Sequence, residues 1–326
     1  MRAVAITEPG GPEVLREVER PDPEIPHGHI RVAVRYVGVN RADVLQRLGG
    51  YPAPPGVPAD VPGLEYSGVV DAVGAGATRF KPGERVFGLV AGGAYADRVV
   101  VHEREAVPVP PALDDEAAAA VPEAFVTAYD ALLTRGRLQP GENVLVHACG
   151  SGVGTAGVQV ARALGCLVIG TSRTAEKLEK ARALGLQMGV HVTRGLFADE
   201  VRRMTHGRGA DVVLELVGGS YVQEDLNAAA HRARVVLVGL TGGGHVDVDL
   251  RMVLTRRVEI IGTVLRSRPI EEKILAAQVL ERNLCPWLAA GIVRPVVDRV
   301  FALAEAGKAQ EHVVTNHGFG KVLLKV

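Results

Sequence analysis

Residues 143–177 read NVLVHACGSGVGTAGVQVARALGCLVIGTSRTAEK. Gly152, Gly154 and Gly157 fit G-x-G-x-x-G, with Val153 between the first two glycines and Ser151 just before them. The apolar residues Val144, Leu145 and Val146 lead into this turn, a helix-like segment follows, and a second apolar run covers 167–169. Strand, glycine turn, helix, strand is the order that a dinucleotide pyrophosphate needs. The first glycine permits a tight turn, the second lets the phosphates approach the backbone, and the third lets the helix pack on the strand. The helix N-terminus then offers unpaired N–H groups and a partial positive charge. The competing reading is a glycine-rich turn in an ordinary α/β unit, but the context is right on both sides.

The end of the second strand selects the cofactor. An NAD site usually carries Asp or Glu there, accepting from the ribose hydroxyls. This chain has Ser172 and Arg173 instead, with Lys177 one helical turn on and no carboxylate before Glu176. A small hydroxyl and two cations suit an extra phosphate on that ribose, so NADPH is favoured over NADH. The alternative is that Arg173 and Lys177 are solvated residues opening a helix, an end where cations are slightly unfavourable. Val238, Gly239 and Leu240 end a later strand, where backbone groups are placed to hold the nicotinamide amide.

These groups must be positioned by a chain of 326 residues, long enough for two domains. Before residue 108, strand-like stretches at 2–6, 29–37, 67–73, 84–89 and 95–101 alternate with Gly/Pro turns, which predicts a β domain. The proline-rich segment 51–62 reads as a surface loop. Acidic residues at 114–116 followed by alanines read as a helix start. After residue 140, strands at 144–148, 167–171, 190–192, 212–216, 235–240 and 259–265 alternate with helices, which predicts a parallel doubly wound sheet. A helix is expected over 271–284, and the strand-like tail at 322–325 is expected to return to the first domain.

Lys+Arg 37 balances Asp+Glu 37, and the basic residues are dispersed, which argues against nucleic acid as a partner. No apolar run approaches the roughly 20 residues that cross a bilayer, and the N-terminal stretch lacks a signal-peptide core. Cys149, Cys166 and Cys285 are odd in number and scattered, as in a reducing cytoplasm. Cys149 beside the glycine turn is either oxidation-sensitive or, the favoured reading, a packed thiol. Ten histidines are present, and none is spaced from another as a metal-binding pair.

Several further motifs carry a family resemblance. They are GVNRADV at 38–44, PGLEYSGVVDAVG at 62–74 with Gly63, Glu65, Gly68 and Gly74, VPEAFVTAYDAL at 121–132, GSGVGTAG at 150–157, LVGGSY at 216–221, VGLTGGG at 238–244 and VLRSR at 264–268. In this order and spacing the chain resembles the medium-chain dehydrogenase/reductases, and within them the zinc-free quinone oxidoreductases related to zeta-crystallin. The resemblance implies a GroES-like β domain from residues 1–124 and 268–326, and a Rossmann domain at 125–267. It also implies homodimers or homotetramers joined at Rossmann sheet edges.

Asn40 stands where the zinc branch has a ligand Cys, Leu64 where it has a ligand His, and the third ligand position falls near Glu123. The four-cysteine structural lobe is missing too, so no metal is expected. By family position Asn40, Asp43 and Tyr51 surround the acceptor. Asn40 would donate to a carbonyl oxygen or bond its own backbone. Asp43 would orient Asn40 or Tyr51, or cap the following helix. Tyr51 would stack on or donate to a quinone, or anchor the 51–62 loop. Thr127 would contact the cofactor or bond back to a helix carbonyl. Leu265, Arg266 and Ser267 would lie near the cofactor and the dimer interface, and Asn316 and Lys321 would close over the cofactor. The implied activity is NADPH-dependent reduction of a quinone. The alternatives are reduction of an alkenal or enone double bond, and a low-turnover NADPH-binding regulator or RNA binder of the kind found among relatives of zeta-crystallin.

Overall fold

The computed structural model describes residues 1–326, which form two compact units, Met1–Val126 with Leu265–Val326, and Thr127–Val264. The second unit is built on a six-stranded, wholly parallel sheet. Its strand order is Met188–His191, Leu167–Ser172, Asn143–Val146, Ala210–Glu215, Ala229–Leu237, Glu259–Gly262. In chain order this is 3-2-1-4-5-6, the doubly wound arrangement, which reverses direction between Asn143–Val146 and Ala210–Glu215. Ala210–Glu215 is buried at every position, as expected of a parallel strand covered on both faces. Leu145, Ile169, Val213, Leu226 and Val235 form part of the core beneath.

The glycine turn departs from the expectation in one respect. Its left-handed residue is Ala148, at φ +44°, and Gly152 is the first residue of the helix Gly152–Ala163. The other two glycines are there for close approach. A Cβ on Gly154 would lie 2.2 Å from the Ala148 carbonyl oxygen, and one on Gly157 would lie 2.6 Å from Leu214 Cδ2. The first neighbour is backbone and the second is the far end of a side chain. Gly154→Ala is therefore expected to destabilise by about 1–3 kcal/mol, and Gly157→Ala by clearly less. Thermal unfolding of the two variants checks this, and equal losses would contradict it.

The first unit is mostly antiparallel. Its main sheet runs Val297–Ala302, Lys321–Lys325, His29–Val39, Glu65–Val73, Arg85–Leu89, Ala106–Pro108, and Arg98–His102 also pairs with His29–Val39. The C-terminal strand lies antiparallel to His29–Val39, so the tail completes the sheet that the N-terminal half begins. Ile30, Val32, Tyr66, Val86, Tyr95 and Leu324 fill its core. The segment 51–62 has no helix or strand. Asp114 caps the short helix Asp115–Ala119 by accepting from the Ala117 N–H.

Candidate functional site

In the second unit the nucleotide turn is prebuilt. Ser151 Oγ caps the helix by accepting from the Gly154 N–H at 3.0 Å, and the Ser151 carbonyl accepts from the Thr155 N–H at 2.8 Å. This leaves the N–H groups of Gly152 and Val153 without an acceptor in the chain, at the positive end of a twelve-residue helix. Cys149 is fully buried and its thiol is pushed up to about 12 by burial, so it is a packed residue rather than a reactive one. Ser172 is buried at the end of its strand and accepts from the Thr174 N–H. Arg173 is exposed, and Lys177 is half-buried within the helix Ala175–Arg182. The neighbouring Glu176 pairs with Lys180 at 2.7 Å.

Thr127 lies on the helix Pro122–Tyr129, and its buried hydroxyl has no hydrogen-bond partner. The bond back to a helix carbonyl is therefore not made, and a donor is left for a ligand. Val238 and Gly239 both donate their N–H groups to the Glu215 carbonyl, at 2.9 and 3.3 Å. Only their carbonyl oxygens remain for a carboxamide, which corrects the broader expectation for this strand end. Leu240 is exposed.

In the first unit the structure redirects several expected contacts. Asn40 joins the strand His29–Val39 to the helix Arg41–Arg47. Its Nδ2 donates to Glu65 Oε1 at 2.9 Å, and its Oδ1 accepts from Lys321 Nζ at 2.6 Å. Both ends of the amide are engaged, so Asn40 does not present a donor to an acceptor carbonyl. Asp43 accepts from the N–H groups of Asn40 (2.8 Å) and Gly63 (3.1 Å) and from the Tyr95 hydroxyl (3.2 Å). It is a helix cap whose tyrosine partner is Tyr95, not Tyr51. Burial pushes its carboxyl up to about 6.

Tyr51 is held from above. The Arg266 guanidinium lies 5.0 Å over its ring and donates to its carbonyl at 3.0 Å. Arg266 also donates to the Ala91 carbonyl and to Gln46 Oε1, so each of its three guanidinium nitrogens bonds within the first unit. Leu265 lines a small apolar slot with Leu64, Leu89, Val90 and Ala276, with Glu123 at its edge. Ser267 is exposed. Asn316, left-handed at φ +55°, ends the helix Ala306–Thr315 and accepts from Arg41.

Lys321 is likewise no lid over a cofactor. It is 5% exposed, and its ammonium lies 2.6 Å from Glu65 Oε1, 2.6 Å from Asn40 Oδ1 and 3.3 Å from the Val39 carbonyl. Glu65 Oε2 accepts from the Glu123 N–H at 2.7 Å. A catalytic zinc needs nitrogen, sulfur or carboxylate ligands converging on an open position. Asn40 and Leu64 supply neither thiolate nor imidazole, and the Glu65 carboxylate beside them already binds an ammonium. These residues do not fit catalytic zinc.

Sequence reasoning missed the partners. Glu65 was visible in its motif, but its pairing with Lys321 was not. The same holds for the buried cluster of His147, Glu215 and Asp225 in the second unit, where His147 Nε2 lies 2.7 Å from Asp225 Oδ1. No spacing rule links residues so far apart.

Comparison with known proteins agrees with this geometry. Residues 26–111 match the family model described as alcohol dehydrogenase GroES-like domain, and residues 152–281 match the one described as zinc-binding dehydrogenase. The human quinone oxidoreductase is 32% identical over 331 residues, spanning 99% of this chain and 97% of that protein. The crystal structure of the Pseudomonas syringae quinone oxidoreductase superposes with a TM-score of 0.90 at 32% identity, covering 100% of this chain and 99% of that one. The Escherichia coli quinone oxidoreductase, solved as its complex with NADPH, gives a TM-score of 0.90 at 28% identity over 100% of both chains. With two family models in order, full-length relatives and a metal position that lacks the thiolate and imidazole ligands, the chain belongs to the medium-chain dehydrogenase/reductase superfamily, in its zinc-free, zeta-crystallin-like quinone oxidoreductase branch.

Proposed function

We propose that this chain is a zinc-independent NADPH:quinone oxidoreductase, in which NADPH, a quinone and one proton yield NADP⁺ and the hydroquinone. The observation that carries the reading is a prebuilt nucleotide turn in a chain whose Asn40, at the family's cysteine-ligand position, is engaged by the Lys321–Glu65 ion pair. NADPH supplies the hydride when bound. The Gly152 and Val153 N–H groups hold the pyrophosphate, and Ser172, Arg173 and Lys177 hold the phosphate on the ribose. The Thr127 hydroxyl and the Val238 and Gly239 carbonyls fix the nicotinamide half. Tyr51, steadied by Arg266, packs against the acceptor ring. A quinone spreads the incoming charge onto its oxygens, so no Lewis acid is required, and the product takes its proton from water.

Full-length relatives named as quinone oxidoreductases, one of them solved with NADPH, support the acceptor class and the cofactor. Self-association into a homodimer or homotetramer is supported by the terminal strand Glu259–Gly262, whose Ile260 is exposed, and by Leu250 and Leu254 on the helix Leu250–Arg256, 68% and 78% exposed. A cytoplasmic location accords with three free cysteines. No helix is long and apolar enough to cross a membrane.

The test is the initial rate of cofactor oxidation, with NADPH and NADH run in parallel against an ortho-quinone and a conjugated alkenal, with and without chelator. Fast NADPH turnover with the quinone, unchanged by chelator, is expected. A rate confined to the alkenal would move the assignment to double-bond reduction. Tight NADPH binding without turnover of either acceptor would leave a regulatory nucleotide-binding protein.

A further inference from the structure

His147, Glu215 and Asp225 form a sealed acidic cluster at the carboxyl ends of the parallel strands, and nothing in the proposed reaction uses it. His147 directly follows the strand Asn143–Val146, Glu215 ends Ala210–Glu215, and Asp225 lies on the helix Tyr221–Ala228. All three are 0% exposed. His147 Nδ1 lies 2.8 Å from Thr171 Oγ1, and its Nε2 lies 2.7 Å from Asp225 Oδ1 and 3.6 Å from Glu215 Oε2. Phe197 and Tyr221 close over the imidazole, with ring centroids 4.8 and 5.0 Å away. Glu215 Oε1 accepts from the N–H groups of Val217 and Gly218.

The remaining carboxylate oxygens, Glu215 Oε2 and Asp225 Oδ2, are buried and accept from nothing in the chain. Two ionised carboxylates cannot share so dry a space without a cation or a proton. Burial keeps the imidazole below its usual range, so it does not supply a full positive charge. Burial also pushes both carboxyls well above the ordinary carboxylate range. The other charged or titratable groups around the cluster do not neutralise it. Glu224 adds negative charge beside Asp225, and the Tyr221 phenol is itself raised by burial. Arg173 acts on the Tyr221 side but is exposed. One proton bridging Oε2 and Oδ2 satisfies both orphan oxygens.

The cluster is wired to the backbone proposed to hold the cofactor. The Ala148 turn and the capped helix follow His147 directly. Thr171, bonded to the imidazole, precedes Ser172 and Arg173. Glu215 holds Val217 and Gly218 with its carboxylate and Val238 and Gly239 with its carbonyl. We propose that Glu215, Asp225 and His147 form a proton-binding site linked to cofactor binding, in which one proton shared by the two carboxyls lets Glu215 position the cofactor-holding backbone and its loss weakens nucleotide affinity.

The inference rests on the nucleotide-site reading, and its sign follows from charge. Losing the proton places a second negative charge in a low-dielectric core beneath a site for an anionic pyrophosphate. Affinity is therefore full at neutral pH and falls as the pH rises through the raised carboxyl range, and by reciprocity cofactor binding takes up a proton. One linked proton allows at most about a tenfold change per pH unit.

The experiment is a fluorescence titration of the full-length protein with NADPH, and separately with NADH, from pH 7 to pH 9.5 at fixed ionic strength. NADH controls for Lys177, because it lacks the phosphate that Lys177 is assigned. Calorimetry at pH 8.5 in two buffers of different ionisation enthalpy counts the protons. For the wild type, dissociation constants are expected to rise by about tenfold for both nucleotides, with net proton uptake on binding. Glu215→Gln and Asp225→Asn combined keep the shape and leave no carboxyl in the cluster to titrate, so the affinity of the double variant is expected to be flat across the range. Should the double variant fail to fold, the wild-type proton count stands alone. A flat wild-type profile, or the same rise in the double variant, would overturn the proposal. So would elemental analysis finding one divalent ion per chain that Glu215→Gln abolishes, since a cation would then fill the space between the orphan oxygens. Absence of nucleotide binding at pH 7 would instead overturn the nucleotide-site reading.

Discussion

Replacing Arg173 and Lys177 together with alanine is expected to cut the preference for NADPH over NADH by on the order of a hundredfold. A charge-assisted hydrogen bond contributes about 1.5–3 kcal/mol, roughly ten- to a hundred-fold in affinity. Arg173 is exposed, so solvent screening puts it at the low end of that range. Lys177 is half-buried, but the two sites are close enough to couple, and the sum is not strictly additive. The loss belongs to NADPH alone, because NADH lacks the phosphate. The NADH rate should hold, and the folded state should not suffer. Arg173 and Lys177 sit at the start of the helix Ala175–Arg182, where the macrodipole disfavours cations, so their removal is neutral or slightly stabilising. The readout is kcat/KM for each cofactor at one quinone concentration and one salt concentration, beside a thermal melt. An unchanged ratio would mean that the ribose phosphate is held elsewhere. A fall in both cofactors with a lowered melt would mean that the side chains support the fold.

How far the sequence reached depended on whether a feature is local. The nucleotide turn is local: Ser151, Gly152 and Gly154 follow one another, and the flanking apolar runs lie within a few residues. The central strands of the parallel sheet are nearly as legible, since burial on both faces makes residues 144–146 and 167–169 continuous apolar runs. Their ends drift, as where 235–240 was expected and Ala229–Leu237 is found, because the strand end is set by pairing with its neighbours rather than by composition. The helix expected over 271–284 is Ile270–Val279 followed by a wider turn at Leu280–Leu284, a change of hydrogen-bond register that apolar spacing does not encode. Side-chain direction was out of reach. Asn40 and Asp43 occupy the expected positions, yet both turn inward, because Glu65, Lys321 and Tyr95 offer buried partners from distant segments. The left-handed Ala148 had no signal at all, since glycine is the usual residue there.

The pairing of Lys321 with Glu65 has the largest expected consequence for stability. Lys321→Met is expected to cost about 3–5 kcal/mol, because it leaves a carboxylate buried with no opposite charge. The pair is 5% and 0% exposed, so water does not screen the loss. What remains around Glu65 are two neutral donors, the Asn40 amide and the Glu123 N–H. At about 2–4 °C per kcal/mol for a chain region of this size, the melting temperature should fall by roughly 10 °C. A buried ion pair is costly mainly when broken, so removing the other charge as well should undo most of the damage. Lys321→Met combined with Glu65→Gln is therefore expected to return to within about 1–2 kcal/mol of the wild type, a coupling that a double-mutant cycle measures directly. The cycle separates an ion pair that holds the wall at Asn40 from a lysine that matters only for its packed stem. In the second case the double variant would be at least as unstable as Lys321→Met alone. The same cycle read as kcat and KM bears on the site. Glu65 anchors the N-terminal end of the helix that carries Thr127, so Lys321→Met should raise the KM for NADPH, and Glu65→Gln in that background should lower it again.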